Sequence, residues 1–331
     1  MEEILRVQNL KKWFPVKVGF IRSIISRKRQ FVKAVDGVSF TIKRGEIFGL
    51  AGESGSGKTT TGRVILRLIP PTDGKVFFKG EEILRLPEKD FKPFRSKMQI
   101  IFQDPYESIN PRFTVYDTVS EPLRILGKVK NEEEIREIVF NALESVKLTP
   151  PEQFIYRYPH QLSGGQRQRV ALAAALVVDP EFIVADEPVS MLDVSIRAEI
   201  LNIFTELRDK RKVSFLFITH DLALTRHICD SIAIMYLGKI VEIGSIEQVL
   251  LEPLHPYTKA LIRAVPSPDP TSKRSEVVIK GEIPSPIDPP PGCRFHPRCP
   301  SCLGSICKEK EPELIDVGSG HFVACHHYYS G

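Results

Sequence analysis

The chain has 331 residues, of which 42% are hydrophobic and 26% charged, and its formal net charge is +5. That length holds one large domain or two modest ones, and the composition suits a protein with a sizeable buried core. So mild a positive charge does not mark a nucleic-acid binder, and no nucleic-acid partner is expected.

The longest charge-free apolar run of note, residues 170–178, is far short of the roughly 20 residues a membrane-spanning helix needs. The first ten residues carry Glu2 and Glu3 and lack the basic-then-apolar order of a signal peptide. The expectation is a cytosolic chain whose membrane work, if any, is done by partners.

In chain order, residues 4–7 and 32–42 read as strands, and 46–51 is a buried-type apolar run ending in a glycine-rich turn. Residues 58–68 read as a helix. Short apolar runs follow at 100–102, 182–185, 213–218 (VSFLFI) and 231–236 (SIAIMY). Strands alternating with helices predict an α/β fold with a mostly parallel sheet covered by helices. Residues 105–178 break the alternation, hold a charged helical stretch at 132–148, and read as an inserted helical subdomain. The proline-rich stretch 266–292 reads as a linker or extended arm. Five of the six cysteines follow it (Cys293, Cys299, Cys302, Cys307 and Cys325), while Cys229 stands alone. In a reducing compartment such a group reads as a metal or iron–sulfur site before it reads as disulfides.

The segment Gly52-Glu53-Ser54-Gly55-Ser56-Gly57-Lys58-Thr59 fits G-x-x-x-x-G-K-[ST], follows an apolar strand and opens a helix. Glycines let backbone N–H groups turn inward around phosphate oxygens, and the helix N-terminus favours negative charge. Lys58 can reach the β- and γ-phosphates, and the Thr59 hydroxyl can ligate Mg²⁺, with Thr60 assigned to the same site. This motif alone defines only a phosphate-loop nucleoside triphosphatase, a very broad class. Leu162-Ser163-Gly164-Gly165-Gln166 precedes a helical run at 167–178. Ser163 suits an N-cap, and the two glycines leave N–H groups open to a phosphate. The run 182–187 is then an apolar strand ending in two carboxylates at the rim of the sheet. Asp186 is placed to hold Mg²⁺ through water, and Glu187 to polarise an attacking water as general base.

At these motifs the chain resembles the ABC ATPases, over most of residues 1–250. The resemblance implies further roles. Gln103 matches the Q-loop glutamine that contacts Mg²⁺ and the attacking water, and His220 the switch histidine at the γ-phosphate. Ser190-Met191-Leu192-Asp193 matches the D-loop, with Met191 a small departure, and Phe14 matches the aromatic that stacks on adenine, with Trp13 the competing assignment. A second departure is Ala173-Ala174-Ala175, where the family commonly has an Arg. The implied fold is a phosphate-loop ABC-type core with an N-terminal antiparallel β subdomain and the helical insertion over 1–250, then a Cys-rich extension over 251–331. The implied mechanism joins two such domains head to tail, each ATP lying between one phosphate loop and the partner's LSGGQ segment.

Three segments resemble the oligopeptide/dipeptide import group within that family: 32–40 preceded by a basic insertion at 17–29, the extended Q-loop 103–111, and HPYTKAL at 255–261 with GCRFHPRCP at 292–300. The match is nearer to the F-type subunit. It implies a D-type paralogue, two permeases, an extracytoplasmic binding protein, a place at the cytoplasmic face of the membrane, and peptide cargo. Oligosaccharide or nickel import is the alternative, and a soluble non-transport ATPase a more distant one. Related subunits also carry a [4Fe–4S] site, whose matching positions here are Cys293, Cys299, Cys307 and Cys325, with zinc as the alternative and unmetallated or oxidised thiols as a third reading. The basic residues Arg22, Arg27, Lys28 and Arg29 read as a solvated loop or a lipid or permease contact.

Overall fold

The computed structural model describes residues 2–16, 30–104, 109–127, 129–264, 279 and 281–329. The basic insertion at 17–29, residues 105–108 of the extended Q-loop and most of the proline-rich arm lie outside these. The strands in chain order are β1 (Glu3–Pro15), β2 (Phe31–Lys43), β3 (Ile47–Ala51), β4 (Asp73–Phe78), β5 (Glu81–Glu82) and β6 (Met98–Ile101). Then come β7 (Phe182–Asp186), β8 (Ser214–Thr219), β9 (Ser231–Tyr236), β10 (Lys239–Ser245), β11 (Ile315–Asp316) and β12 (Phe322–Val323). The chain divides into two compact units.

One unit is built from Met1–Ile4, Ile42–Ile47 and Arg85–Ile218. In it β6, β7 and β8 pair in parallel, Met98 opposite Phe182 and Phe182 opposite Ser214. Every residue of β7 and β8 is buried, so these strands read as continuous apolar runs without alternation, as expected when both faces of a parallel sheet are covered. The helix Val194–Arg211 lays Phe204 edge-on against Phe215 and Phe217, with centroids 5.2 and 5.8 Å apart. Within the expected helical insertion, helices Val115–Leu126, Glu132–Ser145 and Gly164–Leu176 pack on one another. Their buried stripes recur at helical spacing: Val115, Val119, Leu123; then Ile135, Val139, Leu143. Each starts on a capping side chain, namely Thr114, Asn131 and Ser163. The charged helix expected over 132–148 ends at Ser145. The helix expected at 167 begins at Gly164, because Ser163 and Gln166 close a reciprocal capping box there.

The other unit is built from Leu5–Thr41, Phe48–Leu84 and Thr219–Gly331. Its N-terminal part is an antiparallel sheet in the order β2-β1-β4-β5, with Leu5 opposite Phe78 and Val7 opposite Val76. The second sheet portion runs β11-β12-β10-β9-β3, with β3 parallel to β9 and the rest antiparallel. Leu237 and Gly238 join β9 to β10 with φ of 43° and 79°, the double positive φ that a tight hairpin turn demands. Tyr236, Tyr257 and Phe295 form a buried aromatic triad, with centroids 4.7–5.4 Å apart, that ties the C-terminal extension to β9. Beneath it Glu242 of β10, fully buried, accepts from Leu254 N (2.8 Å), His255 N (2.9 Å) and, at 2.9 Å, faces His321 Nε2. Among the described residues no helix is long and apolar enough to cross a membrane.

Candidate functional site

The glycine-rich loop leaves the buried strand β3 at Ala51 and enters the helix Lys58–Ile65. Two of its glycines are obligatory. A Cβ at Gly52 would stand 2.1 Å from Met235 O, and one at Gly57, where φ is +107°, would stand 2.0 Å from Ala34 O. The Lys58 ammonium is buried inside the loop, donating to Gly52 O (2.8 Å) and Glu53 O (3.0 Å). Backbone carbonyls therefore hold a compact cation at the head of a helix N-terminus, the arrangement that can exchange carbonyls for phosphate oxygens. The loop is braced from outside. Gly238 N donates to Ser56 O at 2.8 Å, and Glu53 N donates to the Tyr257 hydroxyl at 2.9 Å.

On the antiparallel sheet, Trp13 donates its indole N–H to Asp36 (3.0 Å) and lies under the Lys33 ammonium, 5.0 Å from the ring centre. Phe14 is 37% exposed, with the Lys12 ammonium 4.9 Å from its ring centre. Of the two competing aromatics, Trp13 is committed to the protein and Phe14 keeps the accessible surface. His220 is exposed just past β8, where Asp221 N donates to Thr219 Oγ1.

In the other unit β7 delivers its carboxylates as expected. Asp186 is buried at the strand end, and Glu187 follows in a left-handed turn, φ 48°. Its backbone is fixed on both sides: Glu187 N donates to Ile218 O (3.0 Å), and Ser190 N and Oγ donate to Glu187 O. Its carboxylate accepts from Gln103 Nε2 at 3.0 Å. The structure thus brings Gln103 and Glu187 together from residues 84 positions apart. A carboxylate so held can accept a proton from a water beside the amide.

Ser163 Oγ accepts from Gln166 N (3.3 Å), and Gln166 Oε1 accepts from Ser163 N (3.0 Å), so both side chains serve the helix start; Gly164 is half-buried and Gly165 buried. Asp193 begins the helix Val194–Arg211 without a capping hydrogen bond from its side chain. Met191 and Val194 beside it are 62% and 80% exposed. Arg197 holds this turn from below, donating to Leu192 O (2.7 Å) and Ser190 O (3.3 Å). At the Ala173-Ala174-Ala175 departure, Ala173 and Ala175 are buried in the helix interior.

Arg197, Asp36, Tyr257, Arg294 and Arg298 were not among the residues singled out from sequence. Arg294 donates to Asp36 and to Leu237 O, and Arg298 donates to Glu53 through two nitrogens at 2.9 and 3.2 Å. The only prior signal was their position in the GCRFHPRCP segment.

The cysteines of the extension are not disulfide-bonded. Burial, then the neighbouring thiols, pushes Cys293 up to about 12, and burial pushes Cys299 up to about 11. Cys307 accepts from Leu303 N at 3.4 Å. Among the described residues no group of three or more His, Cys, Asp or Glu side chains is arranged to hold a metal ion. As they stand, these thiols do not form a converged ligand set, so the sequence expectation of a [4Fe–4S] or zinc site finds no support in the geometry.

The phosphate loop after a parallel strand, the paired carboxylates at a strand end and the capped LSGGQ turn define an ATP-binding cassette. Models of two families match: "ABC transporter" over residues 35–190 and "Oligopeptide/dipeptide transporter, C-terminal region" over 241–307. AppF of Bacillus subtilis, an oligopeptide transport ATP-binding protein, is 47% identical over 99% of this chain and 98% of its own length. DppF of Haemophilus influenzae, a dipeptide transport ATP-binding protein, is 44% identical over 98% and 96%. The dimeric cassette MJ0796 bound to ADP and Pi superposes with a TM-score of 0.63 at 28% identity, over 73% of this chain and 99% of that one. The chain belongs to the family of oligopeptide/dipeptide transport ATP-binding proteins of ABC transporters, and it is an ATPase by that membership.

Proposed function

We propose that this chain hydrolyses Mg-ATP at a composite site and thereby powers import of oligopeptides or dipeptides. The observation that carries the catalytic half is the Glu187 carboxylate, fixed by its backbone in a left-handed turn and set 3.0 Å from the Gln103 amide. In the reading, Gly52 to Thr60 cradle the triphosphate and Phe14 stacks on the base. Thr59, Gln103 and Asp186 attend Mg²⁺, Glu187 takes the proton from water, and His220 meets the γ-phosphate. Ser163, Gly164, Gly165, Gln166 and Asp193 complete the site of the opposing protomer, because one loop supplies too few donors to surround a γ-phosphate. Mg²⁺ offsets the phosphate charge when bound, and the chain's own part is to orient the water and accept its proton. The exposed Met191 and Val194 beside Asp193 support this, since they leave apolar surface open next to the D-loop.

The domain division at about residue 250, the D-type paralogue as partner, two permeases, a binding protein and a position on the cytoplasmic membrane face belong to the same proposal, supported by the relatives' names. For the cysteines the proposal is that iron loading draws Cys293, Cys299, Cys307 and Cys325 into a [4Fe–4S] set, zinc being the alternative and Cys302 a spare thiol. Stoichiometric zinc without iron in anaerobically purified protein, or no metal at all, removes the iron–sulfur claim. Peptide uptake by the reconstituted complex tests the main proposal. Uptake that persists without ATP, or ATP turnover unaffected by permease, refutes it.

A further inference from the structure

Two arginines four residues apart in the C-terminal extension reach back to both sides of the cassette's nucleotide half-site. Arg298, whose side chain is 9% exposed, forks onto the Glu53 carboxylate at 2.9 and 3.2 Å, and its guanidinium lies 5.8 Å from the Tyr236 ring centre. Arg294 donates to Asp36, which also holds the Trp13 indole beside Phe14. The Tyr236, Tyr257 and Phe295 triad makes the segment between them a fixed platform.

Glu53 is the second residue of the phosphate loop, and each of its polar groups is engaged. Its N–H goes to Tyr257, its carboxylate to Arg298, and its carbonyl receives both Lys58 Nζ and Ser56 N. A carboxylate at this position repels a triphosphate unless a cation offsets it, and a bidentate guanidinium also fixes where the carboxylate stands. Every remaining hydrogen bond of Glu53 lies on the backbone that shapes the loop, so displacing the side chain moves the carbonyl that holds Lys58.

We propose that Arg298 is a positioning residue for ATP binding: the C-terminal extension sets nucleotide affinity by neutralising and anchoring Glu53 of the phosphate loop. The inference rests on the ATP reading above and deepens it, because it gives the extension a task at the nucleotide half-site. Arg294 supports the adenine side in the same manner through Asp36.

The test is titration of the full-length chain with a non-hydrolysable Mg-ATP analogue, with thermal melts on every variant. Arg298→Gln is expected to raise Kd about tenfold, the size of one uncompensated charge near the phosphates. Arg298→Lys keeps the charge, loses the fork, and is expected to fall between. The pair Glu53→Gln with Arg298→Gln is expected to recover most of the lost affinity, because the repelling charge is gone; a merely structural arginine would show no such rescue. ATPase assays should show the single change in KM with kcat nearly preserved. Arg298→Gln binding as tightly as wild type overturns the proposal, and so does a double variant no better than the single one when both melt normally. If wild type itself binds no nucleotide, the ATP reading falls and takes this inference with it; if wild type binds and only the variants fail to differ, the inference falls alone.

Discussion

Replacing Gly164 by alanine separates folding from catalysis at the signature turn. Gly164 is the first residue of the helix that Ser163 caps, and a Cβ there meets nothing closer than Leu192 Cδ2 at 3.7 Å, an ordinary contact. Alanine at a helix position is favoured over glycine by up to about 1 kcal/mol, so the melting temperature should hold or rise by at most roughly 3 °C. If the backbone amides here close on the partner's γ-phosphate, the added methyl keeps an oxygen from reaching them. One charge-assisted hydrogen bond is worth about 1.5–3 kcal/mol, which in the transition state is about a 10- to 100-fold loss of turnover. Neighbouring Gly165 is the wrong probe, since its Cβ would press to 2.5 Å on Ile196 Cγ2 and disturb the fold itself. Steady-state ATP hydrolysis beside a thermal melt gives the answer. Turnover within twofold of wild type at an unchanged melting temperature refutes the composite site.

Glu187→Gln should lower kcat by about 10²–10⁴-fold while nucleotide still binds, as measured by hydrolysis and by nucleotide-dependent dimerisation; unchanged turnover would remove Glu187 as general base. Gly57→Ala should abolish nucleotide binding and lower the melting temperature, because the methyl meets Ala34 O at 2.0 Å in a backbone conformation that disfavours side chains. Acid should destabilise the extension through His255. Burial, with Lys259 adding to it, pushes this histidine down to about 3 from 6.5, and its Nδ1 accepts from Tyr257 N. A depressed histidine is neutral when folded, so the unfolded chain binds more protons below pH 6.5, and stability falls from there toward pH 3. The loss at pH 5 is roughly 2 kcal/mol, and His255→Gln should flatten the slope in denaturant titrations against pH.

Much of the candidate site is local in sequence and was legible there. The phosphate loop, the strand ending in Asp186 and Glu187, and Ser163 as a helix cap each occupy a few consecutive residues whose chemistry dictates their conformation. The helix Val115–Leu126 was missed because Pro122 lies inside it and reads as a breaker. The strand β4 was missed because its apolar residues, Val76, Phe77 and Phe78, form one short consecutive run that sets no period. The bracing of the loop could not be read, because it depends on pairs 204 and 245 positions apart, Glu53 with Tyr257 and with Arg298. No local pattern announces which arginine will return to which carboxylate. For the thiols the pattern was visible, and the packing did not assemble it into a ligand set.

The short tail strands have one further consequence. β12 pairs Val323 with Glu242 and Phe322 with Ile243, and β11 then covers β12. Without them β10 would present unsatisfied peptide groups and apolar side chains along a sheet margin, an invitation to stray chains. Four residues of the tail thus act as a selvedge. A version of the protein cut short after residue 310 would be expected to clump during expression even if its catalytic parts folded.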